Sequence, residues 1–169
     1  MVTELYWVEG PWPGRLAVMP RPRGDDWLEG ELRSWRRSGV DVVVSLLPPD
    51  EIAELGLEAE EEFCRALGTD FLSYPVTDRG IPPSWEATAE VATKLAAYLA
   101  DGKNVAIHCR MGVGRAPLLA LCLLVLSGVD AQMAIQRVSA ARGRPVPETA
   151  EQLRWLTEFA LAAAARHPK

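Results

Sequence analysis

The stretch NVAIHCRMGVGRAPLLALCLLVLSG, residues 104–128, decides how this chain folds. Residues 104–108 are a short apolar run that reads as a buried strand ending at His108. Residues 109–114 contain Gly112 and Gly114 and read as a turn. The helix expected over 115–127 holds an apolar run at 116–126, about half of what crosses a bilayer, so it reads as buried. A strand, a turn and a helix in this order put the turn at the carboxyl edge of an open α/β sheet, where such sheets bind ligands. Its free N–H groups and the positive end of the helix dipole converge, a nest for a tetrahedral anion. Cys109 opens the nest and Arg115 closes it with a planar fork suited to phosphate. The same field favours a thiolate at Cys109, so one set of donors prepares a nucleophile and binds an anion. The segment expected to hold substrate is Arg110, Met111, Gly112, Val113 and Gly114.

Working outward, residues 40–47 (VDVVVSLL) form a second run without charge after Asp41, the pattern of a strand buried on both faces. Pro48 and Pro49 stop it, residues 50–67 read as one or two acidic helical pieces, and residues 70–74 as another strand. Near the start, residues 5–8 and 15–19 read as two short strands joined by the turn Gly10-Pro11-Trp12-Pro13-Gly14. Asp25 or Asp26 is placed to cap a helix whose apolar stripe is Trp27, Leu28, Leu32 and Trp35, ending near Gly39. After a loop at 75–83, a helix over 84–100 carries Val91, Leu95, Tyr98 and Leu99 on one face. Asp130 caps a helix running to Arg142, and a last helix follows Thr149, whose spacing to Gln152 matches a capping box. Strands alternating with helices predict one α/β domain over residues 1–169, with a mostly parallel central sheet and helices on both faces.

Composition sets the outer bounds. The 169 residues suit one compact domain, and a net charge of −5 argues against nucleic acid or an anionic membrane surface as partner. Three cysteines without paired spacing, and no apparent signal segment, fit a reducing cytoplasm. The two histidines and the scattered cysteines give no metal-ligand spacing. On a strand, His108 turns away from its neighbour Cys109. His167 lies near the chain end, so no histidine base is available to Cys109, and a thiol protease is disfavoured. His108 is expected to hydrogen-bond backbone near the loop, Cys64 and Cys122 to be buried apolar fillers, and Asp70, at a strand start, to be structural.

His108-Cys109 through Arg115 is a His-Cys-x5-Arg loop, and it resembles that of the protein tyrosine phosphatase superfamily, dual-specificity branch. The resemblance covers residues 28–159. It is closest to kinase-associated phosphatases through Pro75-Val76-Thr77-Asp78-Arg79-Gly80-Ile81-Pro82 and through Arg142-Gly143, Glu148-Thr149, Gln152 and Glu158-Phe159. The ending Gly114-Arg115-Ala116-Pro117 looks more like the phosphatases of regenerating liver. This implies a cysteine-phosphatase fold and a cofactor-free, metal-free, two-step hydrolysis of phosphate monoesters; a monomer is expected. The substrate is then phosphotyrosine, with phosphoserine or phosphothreonine, in a protein, or a small phosphate ester. By the resemblance Asp78 is the general acid, although Asp-Arg-Gly is also a plain turn sequence. Arg79 is either a holder of substrate or loop or simply solvated. Gln152 resembles a glutamine that orients the hydrolytic water in some relatives, beside its capping role. Ala116 departs from the family, where a Ser or Thr hydroxyl helps the cysteine leave. Three alternatives stay open: a phosphoinositide or inositol phosphate phosphatase, a rhodanese-like sulfurtransferase, and a non-catalytic phosphate-binding module.

Overall fold

Among the described residues five strands, β1 (Tyr6–Val8), β2 (Leu16–Met19), β3 (Val42–Ser45), β4 (Asp70–Ser73) and β5 (Val105–His108), form one sheet in the order β1-β2-β5-β3-β4. Only β1 runs antiparallel, to β2. The computed structural model describes residues 3–166, so His167 lies outside the described residues. Among the described residues seven α-helices complete it: α1 (Leu28–Arg37), α2 (Pro49–Glu54), α3 (Glu60–Ala66), α4 (Trp85–Ala100), α5 (Arg115–Leu126), α6 (Ala131–Arg142) and α7 (Ala150–Arg166).

Strand alternation sorts the core into two layers. Leu16, Val18, Val42, Val44, Val105 and Ile107 face α4, α5, α6 and α7. Ala17, Met19, Val43 and Ala106 face α1 and α3, through Leu28, Leu32, Trp35 and Cys64. Each large apolar side chain buried this way contributes roughly 1.5–3 kcal/mol. Helix α5 passes through the middle of its layer, with all of Arg115 to Leu124 buried. That is why its sequence is apolar on every side.

The helix ends follow the expected chemistry in two of three cases, and Ser84 adds a cap that the sequence reading did not name. Ser84 accepts from the Ala87 N–H, and Asp130 accepts from Gln132 and Met133. Thr149 and Gln152 form the reciprocal pair, Gln152 N–H to Thr149 Oγ1 at 3.1 Å and Thr149 N–H to Gln152 Oε1 at 3.3 Å. The cap expected at Asp25 or Asp26 is not formed. A 3₁₀ turn, Asp25–Trp27, precedes α1, and the Asp25 N–H donates to Gly56 O at 2.9 Å. The Asp25 carboxylate lies against Gly56, so the residue docks a neighbouring turn and α1 starts without a side-chain cap. The same turn rotates Trp27 out of the apolar stripe: it is 62% exposed, with the Arg23 guanidinium 4.5 Å above its ring.

Strands β3 and β5 end side by side, and the chain leaving each one builds the site. The Leu46 N–H donates to His108 O at 3.0 Å, and the Val76 N–H donates to Leu46 O at 2.9 Å. The segment after β4 is thereby carried across the carboxyl edge of the sheet, beside the 109–114 turn.

Candidate active site

The turn between β5 and α5 holds the Gly112 N–H inside and turns carbonyls outside. Inside, the Gly112 N–H points at Cys109 Sγ, 3.3 Å away. Outside, Arg110 O accepts from the Arg21 N–H at 3.1 Å. Cys109 and Arg115 are both 3% exposed. Two glycines make the curl possible. Gly112 has φ +73, and a Cβ there would sit 2.7 Å from the backbone of Met19 and Pro20. At Gly114 a Cβ would meet the Gln152 amide and the Glu148 carboxylate at 3.0–3.1 Å. The start of α7 can press against the loop only because that position is bare.

Arg115 is the most heavily bonded side chain here. Its Nη1 donates to Glu51 Oε2 (2.7 Å) and Val76 O (2.9 Å), and its Nη2 to Glu51 Oε1 (3.0 Å) and Asp78 Oδ1 (3.0 Å). Burial alone pulls the guanidinium down. The Glu51 hydrogen bonds, then the charges of Cys109, Glu51 and Asp78, outweigh it and hold Arg115 above its ordinary value. The pair with Glu51 is bidentate and nearly dry, so it fixes the plane of the fork.

The Asp78 carboxylate reaches over the nest from the turn at 77–80, where the Gly80 N–H donates to Thr77 O at 2.8 Å. Arg79 turns that corner at φ +58, in the left-handed region uncommon for a residue with a Cβ. Its side chain is 67% exposed and lies 3.7 Å from Glu148, a loose contact of small worth. A firmer tie is the Gln152 Nε2 donation to Gly80 O at 3.1 Å. The fully buried Gln152 therefore caps α7 and also holds the turn that bears Asp78.

The expected substrate segment is present but not uniform. Arg110 turns outward to Glu54, Nη2 to Oε1 at 2.9 Å, and that bond raises Arg110 and lowers Glu54 from their ordinary values. Met111 is exposed at the rim, and Val113 is buried. Asp78, Cys109, Arg110, Met111, Val113, Gly114, Arg115 and Glu148 together line a cleft with about 20 Å³ of free space.

His108 lies behind the loop, as its strand position requires. Nδ1 meets Cys109 O at 3.1 Å and Nε2 meets Glu60 Oε1 at 2.6 Å, so both ring nitrogens are engaged away from the Cys109 sulfur. Cys64 and Cys122 are buried free thiols. Burial, reinforced by Glu60 and Glu61, pushes Cys64 up to about 12, and burial pushes Cys122 up as well. Both are held as thiols. Asp70 accepts from the Tyr98 hydroxyl at 2.9 Å, a structural tie. Among the described residues no group of three or more His, Cys, Asp or Glu is placed to hold a metal ion, and no helix is long and apolar enough to cross a membrane.

A family model described as "PTP-SAK: Swiss Army Knife protein, DSP-PTPase phosphatase domain" matches residues 4–167. The chain belongs to this family of dual-specificity-type phosphatase domains. Rat (Rattus norvegicus) cyclin-dependent kinase inhibitor 3 is 27% identical over 137 residues, 78% of this chain and 63% of that protein. Mouse (Mus musculus) protein tyrosine phosphatase type IVA 3 is 32% identical over 94 residues, 54% of this chain and 53% of that protein. The chain thus spans less than two thirds of the curated relatives it matches. Among solved structures, kinase associated phosphatase with its catalytic-site cysteine replaced by serine superposes with a TM-score of 0.87 at 19% identity, covering 98% of each chain. The active form of Tk-PTP superposes with a TM-score of 0.76 at 27% identity, covering 93% of this chain and 96% of that one. These likenesses match the α/β fold expected of a phosphatase domain.

Sequence reading did not reach Glu51, Glu54 or Glu60, which sit in acidic stretches that resemble solvated helix faces. Glu51 and Glu60 are 5% and 2% exposed. No spacing rule links them to residues 110, 115 or 108.

Proposed function

We propose that this protein is a cysteine-dependent phosphatase of phosphate monoesters, phosphotyrosine first and phosphoserine or phosphothreonine second, in proteins. The observation that carries the reading is the meeting of three groups: Cys109 Sγ under a loop N–H, the Arg115 fork beside it, and Asp78 Oδ1 3.0 Å from that fork. Cys109 thiolate attacks phosphorus, and an S–P bond forms as the ester P–O bond breaks. Asp78 gives its proton to the departing oxygen. Arg115 and the N–H groups of residues 110–114 hold the equatorial oxygens through the transition state. Water then attacks phosphorus, Asp78 carboxylate takes its proton, and Cys109 leaves as thiolate. All atoms and charges balance without metal or organic cofactor.

The mouth favours a monophosphate. Arg110 is paired with Glu54, and Glu148 adds negative charge, which suits a polyphosphorylated inositol ring poorly. A sulfurtransferase would have no use for a carboxylic acid at Asp78; thiocyanate formation from thiosulfate and cyanide separates the two readings.

The departure at Ala116 gives a kinetic test. With no hydroxyl to stabilise the leaving Cys109, hydrolysis of the thiophosphate limits the rate. Rapid mixing with para-nitrophenyl phosphate is expected to give a burst of phenol near one per active site, then slow turnover. One charge-assisted hydrogen bond contributes about 1.5–3 kcal/mol, so Ala116→Ser should speed the slow phase roughly ten- to a hundredfold and leave the burst rate alone. A wild type that never releases phenol would end the phosphatase reading. A burst-free wild type would end only the claim about Ala116.

A further inference from the structure

A trans peptide is planar, with its C=O and the next residue's N–H pointing in opposite directions. Holding a carbonyl outward therefore aims the following N–H inward. Four successive carbonyls of the 109–114 loop are held from outside. Cys109 O meets His108 Nδ1 at 3.1 Å, and Arg110 O accepts from the Arg21 N–H at 3.1 Å. The other two belong to one side chain. Arg142 Nε donates to Gly112 O at 2.8 Å, and Arg142 Nη2 donates to Met111 O at 3.1 Å.

Arg142 is the last residue of α6, just before Gly143 turns the chain at φ +73. Its guanidinium stacks on the Tyr6 ring, Cζ 4.0 Å from the centroid, which fixes the plane of the fork. Two parallel N–H groups on a rigid plane match two successive carbonyls, a fit the single ammonium of lysine cannot reproduce. The Met111 carbonyl governs the Gly112 N–H, which is seen aimed at Cys109 Sγ. The Gly112 carbonyl governs the Val113 N–H. A positive charge behind these carbonyls also polarises both peptides toward an anion on the other side.

We propose that Arg142, seated on Tyr6, is a positioning residue that presets the Gly112 and Val113 N–H groups of the phosphate-binding loop. It touches neither phosphate nor the reacting atoms. The inference rests on the phosphatase reading for its effect on turnover but not for its effect on anion affinity.

The test compares wild type with Arg142→Met, Arg142→Lys and Tyr6→Leu. Inorganic phosphate is the probe, read both as a competitive inhibitor and as a shift in thermal midpoint. Losing two hydrogen bonds to a charged donor should weaken phosphate roughly ten- to a hundredfold in Arg142→Met. Arg142→Lys should fall between, and Tyr6→Leu should lose less. The phosphate-induced rise in midpoint should shrink in the same order. Turnover should drop across a leaving-group series by one common factor, because proton delivery by Asp78 is untouched. A purely structural Arg142 would lower the midpoint but leave phosphate affinity unchanged. That result in any folded variant of Arg142 overturns the proposal. If Arg142→Met does not fold, Arg142→Lys and Tyr6→Leu decide by the same readouts. A wild type that binds phosphate but hydrolyses no ester sinks the phosphatase reading and leaves the Arg142 comparison standing. A wild type that does not bind phosphate sinks both.

Discussion

Cys109→Ser is expected to abolish turnover of para-nitrophenyl phosphate, a loss on the order of 10⁴ or more, the scale of removing a nucleophile from a covalent mechanism. The substitution exchanges sulfur for oxygen in a site that is 3% exposed, so the volume change is small and the loop keeps its shape. What disappears is the thiolate. A serine hydroxyl needs a base to ionise it, and the adjoining His108 is turned toward Cys109 O and Glu60 instead. The donors do not depend on the sulfur: Arg115 stays fixed by Glu51 and Val76 O, and the loop carbonyls keep their outer partners. Phosphate should therefore still bind with nearly wild-type affinity and still raise the thermal midpoint. Measurable steady turnover by the purified serine variant would contradict the nucleophile assignment. Loss of phosphate binding along with turnover would instead show that the thiolate helps hold the loop.

The fold was legible where chemistry and local pattern coincide. Residues 104–108, and 42–47 after Asp41, carry no acid, lysine or arginine because both faces of their strands are covered, and the core of each is found as β5 and β3. Gly112 and Gly114 flagged a curled loop because only a bare backbone fits against Met19, Pro20 and the start of α7. Asp130 and the Thr149–Gln152 pair could be read because a cap is a local hydrogen bond. Trp27 was misplaced because a 3₁₀ turn shifts the angular register before α1, which composition alone does not signal. The supports of the site were illegible for a different reason. Glu51 reaches Arg115 across 64 positions and Glu60 reaches His108 across 48, so each reads in sequence as one more acid on a short helix. Arg142 is 30 positions from Gly112 and looked like part of a helix terminus. Only the closing of α6 onto β1 and the loop turns it toward those carbonyls.

Asp78→Asn is expected to lower turnover of poor leaving groups by roughly 10²–10⁴, and to spare aryl phosphates of acidic phenols in the first step. The choice of Asn matters. Asp78 accepts from Arg115 Nη2 at 3.0 Å, and an amide oxygen can accept the same hydrogen bond. The turn itself is held elsewhere, by Gly80 N–H to Thr77 O and by Gln152 to Gly80 O, so the loop should keep its position. The variant then lacks one property, a transferable proton. An alkyl or weakly acidic phenyl ester must leave as an alkoxide or phenoxide that is costly without that proton. A nitrated phenol leaves unaided. A plot of log kcat/KM against leaving-group acidity should accordingly be steep for Asp78→Asn and shallow for wild type, with the lines meeting at the most acidic phenols. The second step carries a separate signature, because ionised Asp78 also takes the proton from the attacking water. With an acidic phenol, the variant should give a full burst followed by steady turnover slower than wild type. An equal loss along the whole series, with no change in slope, would remove Asp78 from proton delivery and leave it only its hydrogen bond to Arg115.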